Sequence, residues 1–256
     1  MKSPSQLLVI ISYFILTIFA FILRLYDVSS RAVHHDESLH AYFSWQLFAG
    51  NGYIHNPMMH GPLQFELNAA LFYIFGVTDF TARAVYAAFG ILLILCPLLL
   101  REKLGRLGCF ITAVLLTFSP AILYFSRFAR NDILLAVWTF ALIAFLWRYL
   151  DSGKNKYLYG VAISLALSFS SKESTYFTVA IISIYLGLVL IHRNIYLIYK
   201  QNNIYGMTIL NASLRVTAIL YQKLCKFRLS QNISREATFL IVLWILYHKH
   251  RDAILF

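Results

Sequence analysis

Long apolar runs separated by short charged stretches make up the first three-quarters of the chain. Runs over 7–23, 82–100, 107–125, 133–150, 157–170 and 175–191 read as helices that cross a bilayer. Such a helix rises ~1.5 Å per residue and needs about 20 apolar residues to span a ~30 Å hydrocarbon core. The first run follows Lys2, is longer than the core of a secretory signal and has no small-x-small cleavage pattern, so it reads as a retained anchor. The run 63–75 is apolar but carries Glu66 and Asn68 and is too short to cross, which predicts an interfacial or re-entrant helix. The expected fold is therefore all-α: a polytopic integral membrane bundle with about six spans plus interfacial helices.

Composition agrees with that pattern. Hydrophobic residues make up 60% and charged residues 13% of the 256-residue chain. Its mean hydropathy is +0.67. Soluble domains carry about 25% charged residues, so the chain belongs in a lipid bilayer. Basic residues set an orientation. Arg101, Lys103 and Arg106, then Arg148, Lys154 and Lys156, then Arg193 and Lys200 all fall on one side if the N-terminus is cytoplasmic, as the positive-inside rule requires. The opposite side receives 24–62, 126–132 and 171–174, where acidic residues accompany the basic ones.

Two regions follow. Residues 1–192 form the membrane core, with a first outer loop over 24–62 and the interfacial helix over 63–76. Residues 193–256 hold nine Lys or Arg against two acidic residues, +7 of the total +11. This tail reads either as a basic amphipathic segment on an anionic inner leaflet or as a divergent, truncated gene end. No nucleic-acid-binding module accompanies the charge, so nucleic acid is not an expected partner. Cys96, Cys109 and Cys225 form no CxxC pair, and the two glycosylation sequons, at Asn211 and Asn232, both lie in the Asn-rich tail.

The candidate chemistry gathers on the outer side. His34-His35-Asp36-Glu37, with His40 close behind, follows the first apolar run. Charges beside a membrane core are costly and mark functional sites. If 36–48 is helical, Asp36 and His40 lie one turn apart on one face. Arg127 and Arg130, close to Asp132, form a candidate clamp for a phosphate, since guanidinium groups bind oxyanions bidentately; a structural pair between Arg130 and Asp132 is the alternative. Lys172 either holds a phosphate or pairs with Glu173.

Three segments carry a resemblance. Asp36-Glu37 comes directly after the first span. His60-Gly61-Pro62-Leu63 opens an aromatic helix ending Phe72-Tyr73-Ile74-Phe75-Gly76. Ser126-Arg127 through Arg130-Asn131-Asp132 leads into a later span, followed by Ser171-Lys172-Glu173. In order and placement these resemble the GT-C glycosyltransferases, in the protein O-mannosyltransferase, aminoarabinose transferase and Rgt-like branch. The nearest likeness is to a prokaryotic flippase-associated, mannosyltransferase-like group. The resemblance covers about residues 5–190. It departs at Gly61, which stands where the family's His-Pro-Pro-Leu segment has its first proline, and in length, since such enzymes are about twice as long.

The resemblance implies a multi-pass cell-membrane enzyme with its active site on the outer face. It would take a sugar from a polyprenyl-phosphate carrier and pass it to a hydroxyl of a glycan, lipid or protein acceptor. Asp36 would be the general base, with Glu37 beside it as a second catalytic carboxylate that also shapes the pocket. Arg127, Arg130 and Lys172 would neutralise the departing phosphate, and His35, His40, His60, Asp132 and Glu173 would support the pocket. No cofactor is required, although a divalent metal is compatible. Two other classes stay open: a metal-dependent membrane hydrolase using His34, His35, Asp36 and His40, and a non-catalytic partner in lipid-glycan transport or assembly.

Overall fold

The computed structural model of the chain describes residues 4–53 and 59–202. Among them the structure is all-helical, without strands. The helices are α1 (Pro4–Leu25), α2 (His35–Phe48), α3 (Leu63–Phe75), α4 (Asp79–Leu95), α5 (Arg101–Phe118), α6 (Pro120–Ser126), α7 (Asp132–Ser152), α8 (Asn155–Ser171) and α9 (Thr175–Asn202). The described residues fall into two compact units, one within Met1–Arg148 and Lys154–Thr175, the other within Tyr149–Gly153 and Tyr176–Phe256.

Local sequence explains the breaks in the first unit. Thr78 and Thr81 cap α4 reciprocally, each hydroxyl accepting from the other's backbone N–H, at 3.1 and 2.9 Å. Pro97 lies in a 3-10 turn, Cys96–Leu100, directly after α4. Gly105, at φ 69° and ψ 178°, interrupts α5, a backbone state open to glycine at little steric cost. Pro120 ends the next run because the residue before a proline is driven out of the helical region, and Ser119 is extended at ψ 121°.

These breaks correct the expected number of spans. Among the described residues, four segments are long and apolar enough to cross a membrane by length and composition, rather than six: Leu8–Leu25, Asp79–Phe118, Asp132–Ser152 and Thr175–Tyr196. The two runs expected over 82–100 and 107–125 belong to the single 40-residue segment Asp79–Phe118, and the second of them stops at Phe118. This segment is not straight. Cys109 Sγ lies 3.1 Å from the Pro97 carbonyl oxygen, whereas residues twelve apart on one helix are ~18 Å apart. The chain therefore folds back through 96–105. The run expected over 157–170 is α8, whose 17 residues rise only ~25 Å.

Packing in this unit has two centres. Val85, Tyr86 and Leu93 of α4 meet Ile133, Leu134 and Val137 of α7. Tyr13, Leu16 and Ala20 of α1 meet Ile94 and Ala113. In α8 the buried residues Val161, Ser164, Leu165 and Ser168 form one stripe at helical spacing. Large apolar side chains such as Phe14, Ile15 and Phe21 of α1 point outward, as suits a lipid rather than a water boundary. In the second unit, Phe177, Ile181, Ile184 and Leu188 form an exposed apolar stripe along α9. Residues 203–256, with most of the expected basic tail, lie outside the described residues.

Candidate active site

The end of α1, the starts of α2, α4 and α7, and the turns before α3 and after α8 share one end of the first unit. At its centre is Glu37, 1% exposed. Arg83 forks onto it, with Nε 3.0 Å from Oε1 and Nη2 2.9 Å from Oε2. Arg31 Nη2 donates to Oε2 at 2.8 Å. The backbone N–H of His34 donates to Oε2 at 3.1 Å and that of Ala129 to Oε1 at 3.0 Å. Burial alone would raise the pKa of this carboxyl, but the Arg83 hydrogen bonds, the two backbone donors and the Arg83 charge outweigh it and hold it below the ordinary carboxylate value. Glu37 is therefore ionised, enclosed and fully engaged. Such a group ties segments together, and each of its oxygens already accepts at least two hydrogen bonds.

Arg83 extends the tie by donating to the carbonyls of Val28 at 2.7 Å and Arg31 at 3.1 Å. It escaped the sequence reading because it sits inside an apolar run. That placement, a charge in a span, was itself the available signal. Arg31 lies over the rings of Phe128 and Tyr124, at 5.3 and 5.7 Å, as well as on Glu37.

Asp36 sits one residue away in an open setting. Its carboxylate is 37% exposed, and Oδ2 lies 3.2 Å from Arg130 Nη1. Arg130 Nε is also 3.5 Å from Asp132 Oδ2, the pairing weighed from the sequence. Asp132 Oδ1 is 2.5 Å from Lys172 Nζ. Asp36, Arg130, Asp132 and Lys172 thus form a chain of alternating charge drawn from three separate segments. Glu173 pairs with His60, at 2.8 Å, rather than with Lys172.

Other candidates make contacts within the fold. Arg127 donates to the Leu23 carbonyl at 2.7 Å and to that of Asp27 at 3.3 Å. It holds the C-terminal carbonyls of α1 and is not part of the Arg130 cluster. His34 Nδ1 accepts from the Asp36 N–H at 3.2 Å, capping α2. The His35 side chain is exposed and its carbonyl takes the Ser38 hydroxyl at 2.6 Å. His40 is buried with Nδ1 3.1 Å from Gln64 Nε2. Gln64 lies next to a Tyr86–Asn68 pair, with Oε1 3.4 Å from the Tyr86 hydroxyl, which accepts from Asn68 at 3.2 Å. The four residues proposed for a metal thus have separate tasks. No group of three or more His, Cys, Asp or Glu able to hold a metal occurs among the described residues.

His40 gives the site a pH dependence. Burial lowers its pKa from 6.5 to about 4, helped by the positive fields of His60 and Arg130 and opposed by Asp36 and Asp132. The folded protein then binds fewer protons than the unfolded chain between these values. Stability is therefore full above 6.5 and is lost as pH falls toward 4. The expected loss is on the order of 2–3 kcal/mol. In acid titrations followed by thermal unfolding, His40→Gln is expected to flatten this limb between pH 6.5 and 4. An unchanged slope would refute the assignment.

Gly61 explains the departure from His-Pro-Pro-Leu. Its N–H donates to the Ser171 carbonyl at 3.3 Å, which proline, lacking that hydrogen, does not do. A Cβ at Gly61 would approach the Ser170 carbonyl oxygen to 2.1 Å. This close approach, with Asn131 Nδ2 donating to Ser171 O at 2.7 Å, brings the 60, 131 and 171 segments together. Gly61→Ala is expected to destabilise by about 1–3 kcal/mol through this backbone clash. An unshifted melting temperature would show that the turn can open without cost.

A groove of about 340 Å³ runs along a different face of α2, between Tyr42, Trp45 and the start of α4, and Asp36 does not line it. A search of the curated proteins returns no match. The model of the dolichyl-phosphate-mannose-protein mannosyltransferase family matches residues 26–227, which include every residue of the site. With its apolar helices the chain is a membrane protein, and it belongs to this family of GT-C glycosyltransferases.

Proposed function

We infer that the chain transfers a mannose-type sugar from a polyprenyl-phosphate carrier to a hydroxyl acceptor at the outer face of the membrane. The observation that carries this reading is the half-open chain Asp36–Arg130–Asp132–Lys172 at the end of an apolar helical unit. It sets a part-exposed carboxylate against Arg130, with Lys172 on the next carboxylate along, the groups needed at the two ends of a displacement at an anomeric carbon.

In the proposed step the acceptor hydroxyl gives its proton to Asp36. Its oxygen attacks the anomeric carbon, and the bond from that carbon to the phosphate oxygen breaks. The phosphate leaves with the electron pair, and Arg130 and Lys172 meet its charge, a stabilisation worth most where charge develops. Before substrate arrives, Asp36 and Asp132 occupy these cations. The phosphate takes over part of that pairing and frees Asp36 to act as base. Asp132 keeps Arg130 and Lys172 within reach of one anion. Glu37, His40, His60 and Glu173 hold the segments in place. The positive-inside pattern of 101–106 and 148–156 supports an outward-facing site.

The test is sugar transfer by the full chain in proteoliposomes, with labelled polyprenyl-phosphate mannose compared against a nucleotide-linked mannose. Transfer from the lipid-linked donor alone is expected. Transfer from the nucleotide sugar alone would overturn the donor assignment, and transfer from neither would overturn the activity.

A further inference from the structure

A second charged site lies at the other end of the first unit. Arg148 follows Asp132 by 16 residues on α7, a rise of about 24 Å, which takes it well away from Asp36. There Leu98, Arg101, Glu102, Gly105, Arg106 and Arg148 line an open cavity of about 580 Å³. Arg101 and Arg106 bring two positive charges to its lining against the one carboxylate of Glu102, with Arg148 also in the lining. The break at Gly105 builds it, because Arg101 and Arg106 then come from two helical pieces that the glycine turns relative to one another.

Its surroundings are those of a bilayer boundary. Lys103 Nζ lies 5.6 Å from the centre of the Trp147 ring. Tyr157 carries both Arg148 and Lys156, at 5.6 and 5.1 Å. Leu104 and Leu107, next to Lys103 and Arg106 in the chain, are exposed. Aromatic and basic side chains at the ends of apolar helices occupy the headgroup level of a membrane.

We propose that this cavity binds the phosphodiester headgroup of an anionic membrane lipid. Guanidinium groups match phosphate oxygens in pairs, and basic pockets between membrane helices take such headgroups. A free phosphate would use the same arginines, but it has no use for Leu98 in the lining or for exposed Leu104 and Leu107, chain neighbours of Gly105 and Arg106, on which an acyl chain would lie. The site is separate from the sugar-transfer chemistry and independent of it.

The experiment is native mass spectrometry of the full chain released from phosphatidylcholine nanodiscs with and without phosphatidylglycerol. Preferential retention of phosphatidylglycerol is expected. A basic side chain near an anionic surface contributes a factor of about five in binding. Arg101→Gln/Arg106→Gln should therefore lower retention about 25-fold, while Arg101→Lys/Arg106→Lys, which keeps the charges but not the forked donors, lowers it less. Glu102→Gln, which removes the one carboxylate, should raise retention about five-fold and tests the site even if the double variant does not fold. Equal retention of both lipids by the unaltered chain would overturn the proposal, as would no response to Glu102→Gln. Full displacement by millimolar inorganic phosphate would overturn the lipid assignment in favour of a soluble anion.

Discussion

Arg83→Met is expected to be the most destabilising single change in the described part of the chain, by about 3–5 kcal/mol. The reason is what it leaves behind. Glu37 stays buried at 1% exposure and ionised, and it loses the two-point contact at 3.0 and 2.9 Å that offsets its desolvation. The Val28 and Arg31 carbonyls lose their donor as well. The 28–34 segment, which leads into α2 and Asp36, should loosen together with the core. Thermal unfolding in a mild detergent reads the loss. A companion variant decides its origin. If the cost comes from a stranded charge, Arg83→Met/Glu37→Leu should recover part of the stability, since an apolar pair of similar volume is often as stable as a buried ion pair. Recovery should be incomplete because the His34 and Ala129 N–H groups lose their acceptor. A single variant that melts within a degree of the parent would remove the Arg83–Glu37 pair from its place at the centre of the fold.

Asp36→Asn should give the opposite profile, with activity lost and stability kept. Asp36 is over one-third exposed and its contact with Arg130 is 3.2 Å long. A solvent-exposed pair contributes about 0–1 kcal/mol. The amide keeps the shape and still accepts a hydrogen bond, but it does not take up the acceptor's proton. General-base assistance is worth about 10²–10⁴-fold in rate, so sugar transfer should fall by that factor with the melting temperature nearly unchanged. Transfer within two-fold of the parent would exclude Asp36 as the base. The two adjacent carboxylates therefore separate cleanly. On these expectations Glu37 governs whether the protein folds and Asp36 whether it reacts.

That separation was not available from the letters. Asp36 and Glu37 are neighbours in the chain, and the sequence reading placed both in the reaction. Successive helical residues point about 100° apart, so one side chain entered the core and met Arg83 while the other stayed at the open edge. Arg127 and Arg130 likewise look like one clamp in the sequence, whereas the short turn before α7 aims one at the carbonyls of α1 and the other at Asp36.

Hydropathy by itself determined the class: a run of apolar residues of bilayer length has few other places to go. It did not determine where the helices break, because Gly105, Pro97 and Pro120 act through backbone geometry that a hydropathy window does not register. The order of charged motifs determined the resemblance and the region of the site, since burying charge is costly enough that polar clusters collect at the ends of helices. Which cation pairs with which carboxylate depends on contacts between segments distant in sequence, such as Glu37 with Arg83 and Asp36 with Arg130. Only the tertiary structure decided those, because ion pairing falls off over a few ångströms and chain order does not specify distance at that scale.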